Sequence, residues 1–198
     1  MTEAPIVAEH RVAAIGPGSL ILVVGPSGAG KDTLLGLAKA ACADDPNTVF
    51  SRRVITRAAS ASEDNEEVSR DAFRQALARN EYAVHWEAHG HCYALSRKID
   101  DDLRAGRTVI ANVSRTVIAT VRRAYTDVVV VSITAPTNVL AERLAMRGRS
   151  SDGKIEHRLS RTVDDISAAP DVTIVNIDSA EYHARQFVRI IKGDRWEA

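Results

Sequence analysis

Cysteine is scarce: the 198 residues contain two, Cys42 and Cys92, with no C-x-x-C pair and no zinc-ligand spacing. A disulfide framework and a cysteine-ligated metal are set aside, and reduced thiols in a cytoplasmic protein are the expectation. An excess of one charge is also lacking, since 26 Lys and Arg balance 26 Asp and Glu. No global field draws such a chain to nucleic acid or to an anionic membrane, and neither partner is expected. Residues 1–19 carry three acidic or basic side chains and no apolar run of seven, which fits neither a secretory signal nor a membrane anchor. They read as a flexible tail over 1–18, followed by a single domain over 19–198. Repeats and low-complexity stretches are absent; local patches must therefore carry the function.

One patch stands out. Gly25-Pro26-Ser27-Gly28-Ala29-Gly30-Lys31 follows the apolar run Leu20 to Val24 and precedes the helix-like stretch Asp32 to Ala41. Strand, glycine loop and helix in that order make a phosphate-binding loop. Glycines let the backbone curl with its N–H groups inward, the helix start adds its positive dipole end, and Lys31 reaches the β- and γ-phosphates. Gly25 to Lys31, with Asp32 and Thr33 behind them, are the candidate nucleotide-binding residues.

Short apolar runs at Leu20–Val24, Thr108–Val113, Val128–Ile133 and Val172–Ile177 lack alternation, as expected of strands buried on both faces. Helical stripes lie between them: Leu34, Leu35, Leu37 and Ala38; Val117, Ile118 and Val121; Leu140 and Leu144; and Ile155, Leu159, Val163 and Ile166. Pro136 and Gly106 read as helix start and stop signals. The pattern predicts an α/β fold, a parallel sheet flanked by helices.

Residues 49–95 break the alternation. A strand leads to an acidic loop, Glu63-Asp64-Asn65-Glu66-Glu67, then to a short helix around Phe73 and Leu77 and a hairpin from Tyr82–His85 to Cys92–Leu95. This reads as an inserted acceptor-binding subdomain. Its candidate contacts are Arg57, at the carboxyl end of the Val54–Thr56 strand, with Arg53, Thr56 and Ser60 beside it. In the hairpin, His85, His89 and His91 surround Trp86 and Glu87. That spacing off a helix is weak for a metal, and hydrogen bonding to an oxygen-rich substrate is the preferred reading. Residues 147–154 (RGRSSDGK) have the composition of a lid. Arg143 and Arg147 share one helix face opposite Leu140 and Leu144, and Arg149, Arg158 and Arg161 follow across the lid. Guanidiniums so placed suit stabilisation of a transferring phosphoryl group.

GPSGAGKD-T-LL, R-x-I-T-R-x-A-S-A followed by E-D-N-E, W-x-A-x-G-x-x-Y at Trp86–Tyr93, N-x-S-R at Asn112–Arg115 and R-L-x-x-R-G-R at Arg143–Arg149 together span Leu20 to Ile191. In these pieces the chain resembles the guanylate-kinase-like branch of the nucleoside monophosphate kinases. Within that branch it is most similar to the bacterial enzymes of phosphonate breakdown that phosphorylate ribose 1,5-bisphosphate. The resemblance implies a P-loop kinase fold with an acceptor insertion and a lid. It also implies contacts from Asn112 and Arg115 and a phosphate contact from Tyr93. The chain departs from true guanylate kinases where they read the base. Asp32-Thr33 stands for the Ser after the loop lysine, Ser60 for a second arginine, and His91-Cys92-Tyr93-Ala94-Leu95 for the hydroxyl-bearing segment. Asn112 and Ser114 stand where those kinases hold a pair of aspartates. A base left without polar partners binds poorly, whereas a sugar phosphate needs no such contacts.

The implied reaction passes the γ-phosphoryl of ATP to the 1-phosphate of ribose 1,5-bisphosphate, giving 5-phosphoribosyl 1-diphosphate and ADP. A phosphate acceptor with second pKa about 6 is already mostly ionised at neutral pH and needs no general base. Mg²⁺ is the expected metal, held by Asp32 or Thr33. Two other readings stand beside this one, a kinase of guanylate or another nucleoside monophosphate and a noncatalytic binding module. The oligomeric state is left open, a homodimer included.

Overall fold

The structure, a computed structural model, describes residues 14–58, 64–147 and 169–194. β1 (Ile15–Val24) leads through the glycine loop into α1 (Lys31–Ala41), then β2 (Thr48–Phe50). A second group follows: β3 (Arg53–Ile55), β4 (Asn65–Glu67), α2 (Arg70–Ala78), β5 (Tyr82–Ala88) and β6 (His91–Ser96). The chain continues through α3 (Lys98–Arg104) and β7 (Thr108–Asn112) to a 3-10 turn (Arg115–Val117) that runs into α4 (Ile118–Ala124). β8 (Tyr125–Thr134), α5 (Thr137–Arg147), β9 (Val172–Val175) and α6 (Ala180–Ile191) complete it.

The main sheet has five parallel strands in the order β2-β7-β1-β8-β9. β1 sits at its centre and is apolar on both faces. Leu20, Leu22 and Val24 enter one cluster with Val109 and Ala111, while Ile21 and Val23 enter another with Ile110, Val131 and Ile133. Each such side chain contributes about 1.5–3 kcal/mol on burial, so the strand that carries the loop is among the firmest parts of the molecule. α1 and α6 cover the second cluster, and Phe187 of α6 is fully buried there.

The second sheet, β4-β3-β6-β5, is mixed: β3 runs parallel to β4 and antiparallel to β6, which pairs with β5 as a hairpin. Trp86, Tyr93 and Leu95 lie in the same apolar cluster as Leu20 and Leu22. The insertion is thus fused to the main core.

Three boundaries differ from the sequence reading. β1 begins at Ile15, inside the stretch read as a tail: Gly16, Pro17 and Gly18 look like breakers, yet Ile15 pairs with Tyr125 and its carbonyl accepts the Thr126 hydroxyl at 3.1 Å. The inserted sheet starts at Arg53, not at residue 49, because Thr48–Phe50 pairs with β7 in the main sheet. Asn65–Glu67, read as loop, is strand β4. The helical stripe from Ile155 to Ile166 lies outside the described residues.

Candidate functional site

The loop after β1 departs from ordinary backbone at its glycines. Gly25 has φ 143°, and a Cβ there would overlap the Ile133 carbonyl; Gly30 has φ 86°, and a Cβ would overlap Asn176 Nδ2. Only glycine fits either position. Gly30 is also the N-cap of α1 and brings no side-chain cap, and N–H groups at a helix start are suited to an anion. Lys31 Nζ lies across the loop, donating to the carbonyls of Gly25 at 2.8 Å and Pro26 at 2.9 Å. Arg143 of α5 comes over the other side, its Nη1 3.5 Å from the Gly28 carbonyl.

Asn176, just beyond β9, supports the loop from behind. It is 4% exposed and donates from Nδ2 to the Ala29 carbonyl at 2.8 Å.

Next to the loop a cleft of about 130 Å³ opens between α1 and the inserted sheet, with Asp32, Lys39, Arg53, Asp64, Asn65 and Asn112 in its walls. Asp32 of the first α1 turn takes a hydrogen bond from Asn112 Nδ2 at 3.3 Å, and Arg53 Nη2 stands 4.0 Å from the same carboxylate oxygen. Asn112 is the last residue of β7, register partner of Val23; the carboxyl end of the strand therefore aims into the cleft, as parallel sheets place their ligand sites. At the outer rim Lys39 Nζ contacts Asp64 at 2.6 Å and Arg52 Nε contacts it at 2.8 Å. The Lys39 hydrogen bond, with Arg52 assisting, holds the Asp64 carboxyl below its usual range.

Lys31, Asp32, Arg53, Asn112 and Arg143 thus converge on the loop and cleft. Of the two metal candidates, Asp32 faces the cleft and Thr33 is exposed. Arg115 follows at the head of the 3-10 turn, half-buried. The Thr56 hydroxyl accepts the Cys92 N–H at 2.9 Å and so ties β3 to the hairpin. Arg57 sits just past β3, with Nη1 donating to the Ala58 carbonyl at 2.9 Å. Trp86 and Tyr93 are each 8% exposed, stacked with centroids 5.6 Å apart and planes at 9°. His89 is exposed at the hairpin tip with φ 53°. Arg149, Arg158, Ser60 and residues 148–154, within the segment read as a lid, lie outside the described residues, as does the side chain of Arg147. Among the described residues no three His, Cys, Asp or Glu cluster as a metal site.

Comparison with known proteins decides the family. Residues 18–192 match the guanylate kinase family model. A ribose 1,5-bisphosphate phosphokinase PhnN from Bradyrhizobium diazoefficiens is 61% identical over 196 residues, 99% of either chain. The chain belongs to the guanylate kinase family, in the branch of the ribose 1,5-bisphosphate phosphokinases. A second phosphokinase of that name, from Rhodopseudomonas palustris, is 57% identical over 96% of either chain. The crystal structure of guanylate kinase from Anaplasma phagocytophilum superposes with a TM-score of 0.65 at 24% identity, covering 93% of this chain and 90% of that one; that likeness concerns the fold.

For this family member, sequence reasoning missed Asn176, Asp64 and Asn65. Asn176 ends an apolar run as Asn112 does, and a polar amide directly after a buried strand was the available signal. Asp64 and Asn65 were named only within an acidic loop and the E-D-N-E piece, with no role given to either.

Proposed function

We propose that the chain transfers the γ-phosphoryl group of ATP to the 1-phosphate of ribose 1,5-bisphosphate, forming 5-phosphoribosyl 1-diphosphate and ADP. The observation that carries this reading is full-length identity of 61% to a ribose 1,5-bisphosphate phosphokinase. The cleft beside the loop supports it, since its walls offer cations and amides suited to phosphate and hydroxyl oxygens.

In the proposed step an oxygen of the acceptor's 1-phosphate bonds to the γ-phosphorus, and the bond from that phosphorus to the β,γ-bridging oxygen breaks. The electron pair leaves with ADP. The acceptor oxygen is already ionised, so no side chain need remove a proton. Positive charge and alignment are what the protein supplies. Lys31 and the first-turn N–H groups of α1 hold the donor phosphates, Arg143 adds charge from the far side, and Arg53 with Arg57 meets the acceptor.

Mg²⁺ is the metal in this reading. Of the cleft's two aspartates Asp64 is paired with Lys39 and Arg52; the other, beside the loop, suits an ion that keeps waters and takes most of its ligands from phosphates. Asp32, oriented by Asn112 Nδ2, would be that ligand, directly or through water. When bound, the ion would offset negative charge on the transferring phosphate. A cytoplasmic place in phosphonate breakdown belongs to the same reading; no helix among the described residues is long and apolar enough to cross a membrane.

The test is ADP release with Mg-ATP and ribose 1,5-bisphosphate, ribose 5-phosphate, GMP, AMP or no acceptor. Release with ribose 1,5-bisphosphate, matched by a diphosphate product, is expected. Release with GMP alone would return the chain to the nucleotide kinases.

A further inference from the structure

Asn65 is a buried amide in an otherwise exposed strand. It is 8% exposed, whereas Glu66 and Glu67, the rest of β4, face solvent. Burial of an amide is unfavourable unless its polar atoms are partnered. Its Oδ1 accepts from Arg53 Nε at 3.1 Å, and Arg53 is its register partner across the parallel β3–β4 ladder. Its backbone carbonyl accepts from Arg52 Nη2 at 2.9 Å. The two arginines are unlike: the side chain of Arg52 is 54% exposed, that of Arg53 only 16%.

A guanidinium is a rigid planar fork, so a bond at Nε fixes the direction of the Nη edge. Here that edge stands 4.0 Å from Asp32 Oδ1. This is too long for a hydrogen bond and leaves charge attraction alone. Arg53 therefore stops short of Asp32, at the boundary between the donor loop and the acceptor cleft. Turned about its terminal torsions, the same guanidinium would close onto the carboxylate as a full ion pair.

We infer that Asn65 is a positioning residue: it holds the plane of Arg53 so that the guanidinium meets the acceptor's phosphate and does not collapse onto Asp32. This rests on the kinase reading of the site. Two effects follow from one side chain. Losing the Oδ1 acceptor withdraws a cation from the acceptor and occupies the carboxylate assigned to the metal.

Three variants test it: Asn65→Leu, which keeps volume and removes the acceptor; Asn65→Asp, which keeps an oxygen for Arg53 Nε; and Arg53→Ala. Asn65→Leu is expected to raise KM for ribose 1,5-bisphosphate roughly tenfold, the scale of a hydrogen bond to a charged group. It should also raise the Mg²⁺ concentration for half-maximal rate, with KM for ATP within about twofold at saturating metal. Asn65→Asp should stay near wild type, and adding Asn65→Leu to Arg53→Ala should cost nothing further. A packing role predicts the opposite order, with leucine tolerated and aspartate harmful, and that result overturns the proposal. Independently of turnover, the Arg53 Nε–H resonance, assigned by its loss in Arg53→Ala, should exchange with solvent faster in Asn65→Leu than in wild type. If wild type releases no ADP with ribose 1,5-bisphosphate, the substrate reading fails and this exchange measurement alone decides: equal exchange refutes the Asn65 role.

Discussion

Asn176 donates its side-chain amide to the carbonyl of Ala29 at 2.8 Å, across 147 residues of sequence. The carbonyl belongs to a loop residue that is fully buried, and the amide is 4% exposed. Asn176→Ala would leave the Ala29 carbonyl without its donor, a loss of about 1–3 kcal/mol for a buried group. The expected outcome is a lower denaturant midpoint together with a raised KM for ATP, read by urea melts and steady-state kinetics. An unchanged KM for ATP would mean that the loop keeps its shape without this strut.

Lys31→Ala should lower kcat by about 10²–10³-fold, the scale of removing one preorganised charge-stabilising donor. Lys31 Nζ donates to the Gly25 and Pro26 carbonyls of its own loop at 2.8 and 2.9 Å, and contacts this local in sequence add little to global stability, so a small shift of the melting midpoint is expected. Thermal melts beside rate measurements separate the two effects.

Asp32→Asn and Thr33→Ala discriminate the two metal candidates. Asp32 faces the cleft with Asn112 Nδ2 on its carboxylate, while Thr33 is exposed. Asp32→Asn should raise the Mg²⁺ requirement about tenfold or more, given loss of the carboxylate charge proposed to hold the ion, and Thr33→Ala should leave it near wild type. A Mg²⁺ titration of rate at fixed ATP checks both.

Arg57→Ala should raise KM for ribose 1,5-bisphosphate well above tenfold, since a charge-assisted contact with phosphate is among the stronger hydrogen bonds. KM for ATP should change little. A matched rise in both constants would place Arg57 outside the acceptor site.

Tyr125 donates its phenol to Asp100 at 2.7 Å in the interior, joining β8 to α3. Burial first, and the Asp100 hydrogen bond second, push the Tyr125 phenol well above its ordinary value. The native state therefore keeps a proton that the unfolded chain loses near pH 10. Stability from this group is complete below that pH and falls as pH rises beyond it, with a limiting slope of about 1.4 kcal/mol per pH unit. Melting midpoints from pH 9 to 11 should decline in wild type more steeply than in Tyr125→Phe.

The loop and the main sheet were legible because their signals are local. Glycines at Gly25, Gly28 and Gly30, a lysine, and unbroken apolar runs each depend on a few neighbouring residues. Thr56 was read as an acceptor contact from its place beside Arg57, Trp86 from its place among the hairpin histidines, and Tyr93 as a phosphate contact from the family resemblance. The structure gives Thr56 a backbone partner and stacks the two rings in the core. The alternation Tyr82, Val84, Trp86 against Ala83, His85, Glu87 carried that information, since one side of a strand faces the core. Asn176 and Asn65 were not legible in the same way. The partner of Asn176 lies at the far end of the chain, and that of Asn65 lies across a ladder whose second strand was read as loop.

The fusion of the inserted sheet to the main core bears on how the molecule comes apart. Trp86 and Tyr93 share one apolar cluster with Leu20 and Leu22, so separating the two sheets would expose the side chains that bury the central strand. Heating should then produce a single calorimetric transition in which both sheets melt together, with calorimetric and van't Hoff enthalpies equal. The inserted sheet and the main sheet meet along one apolar seam, so any movement that parts them there uncovers core side chains to water.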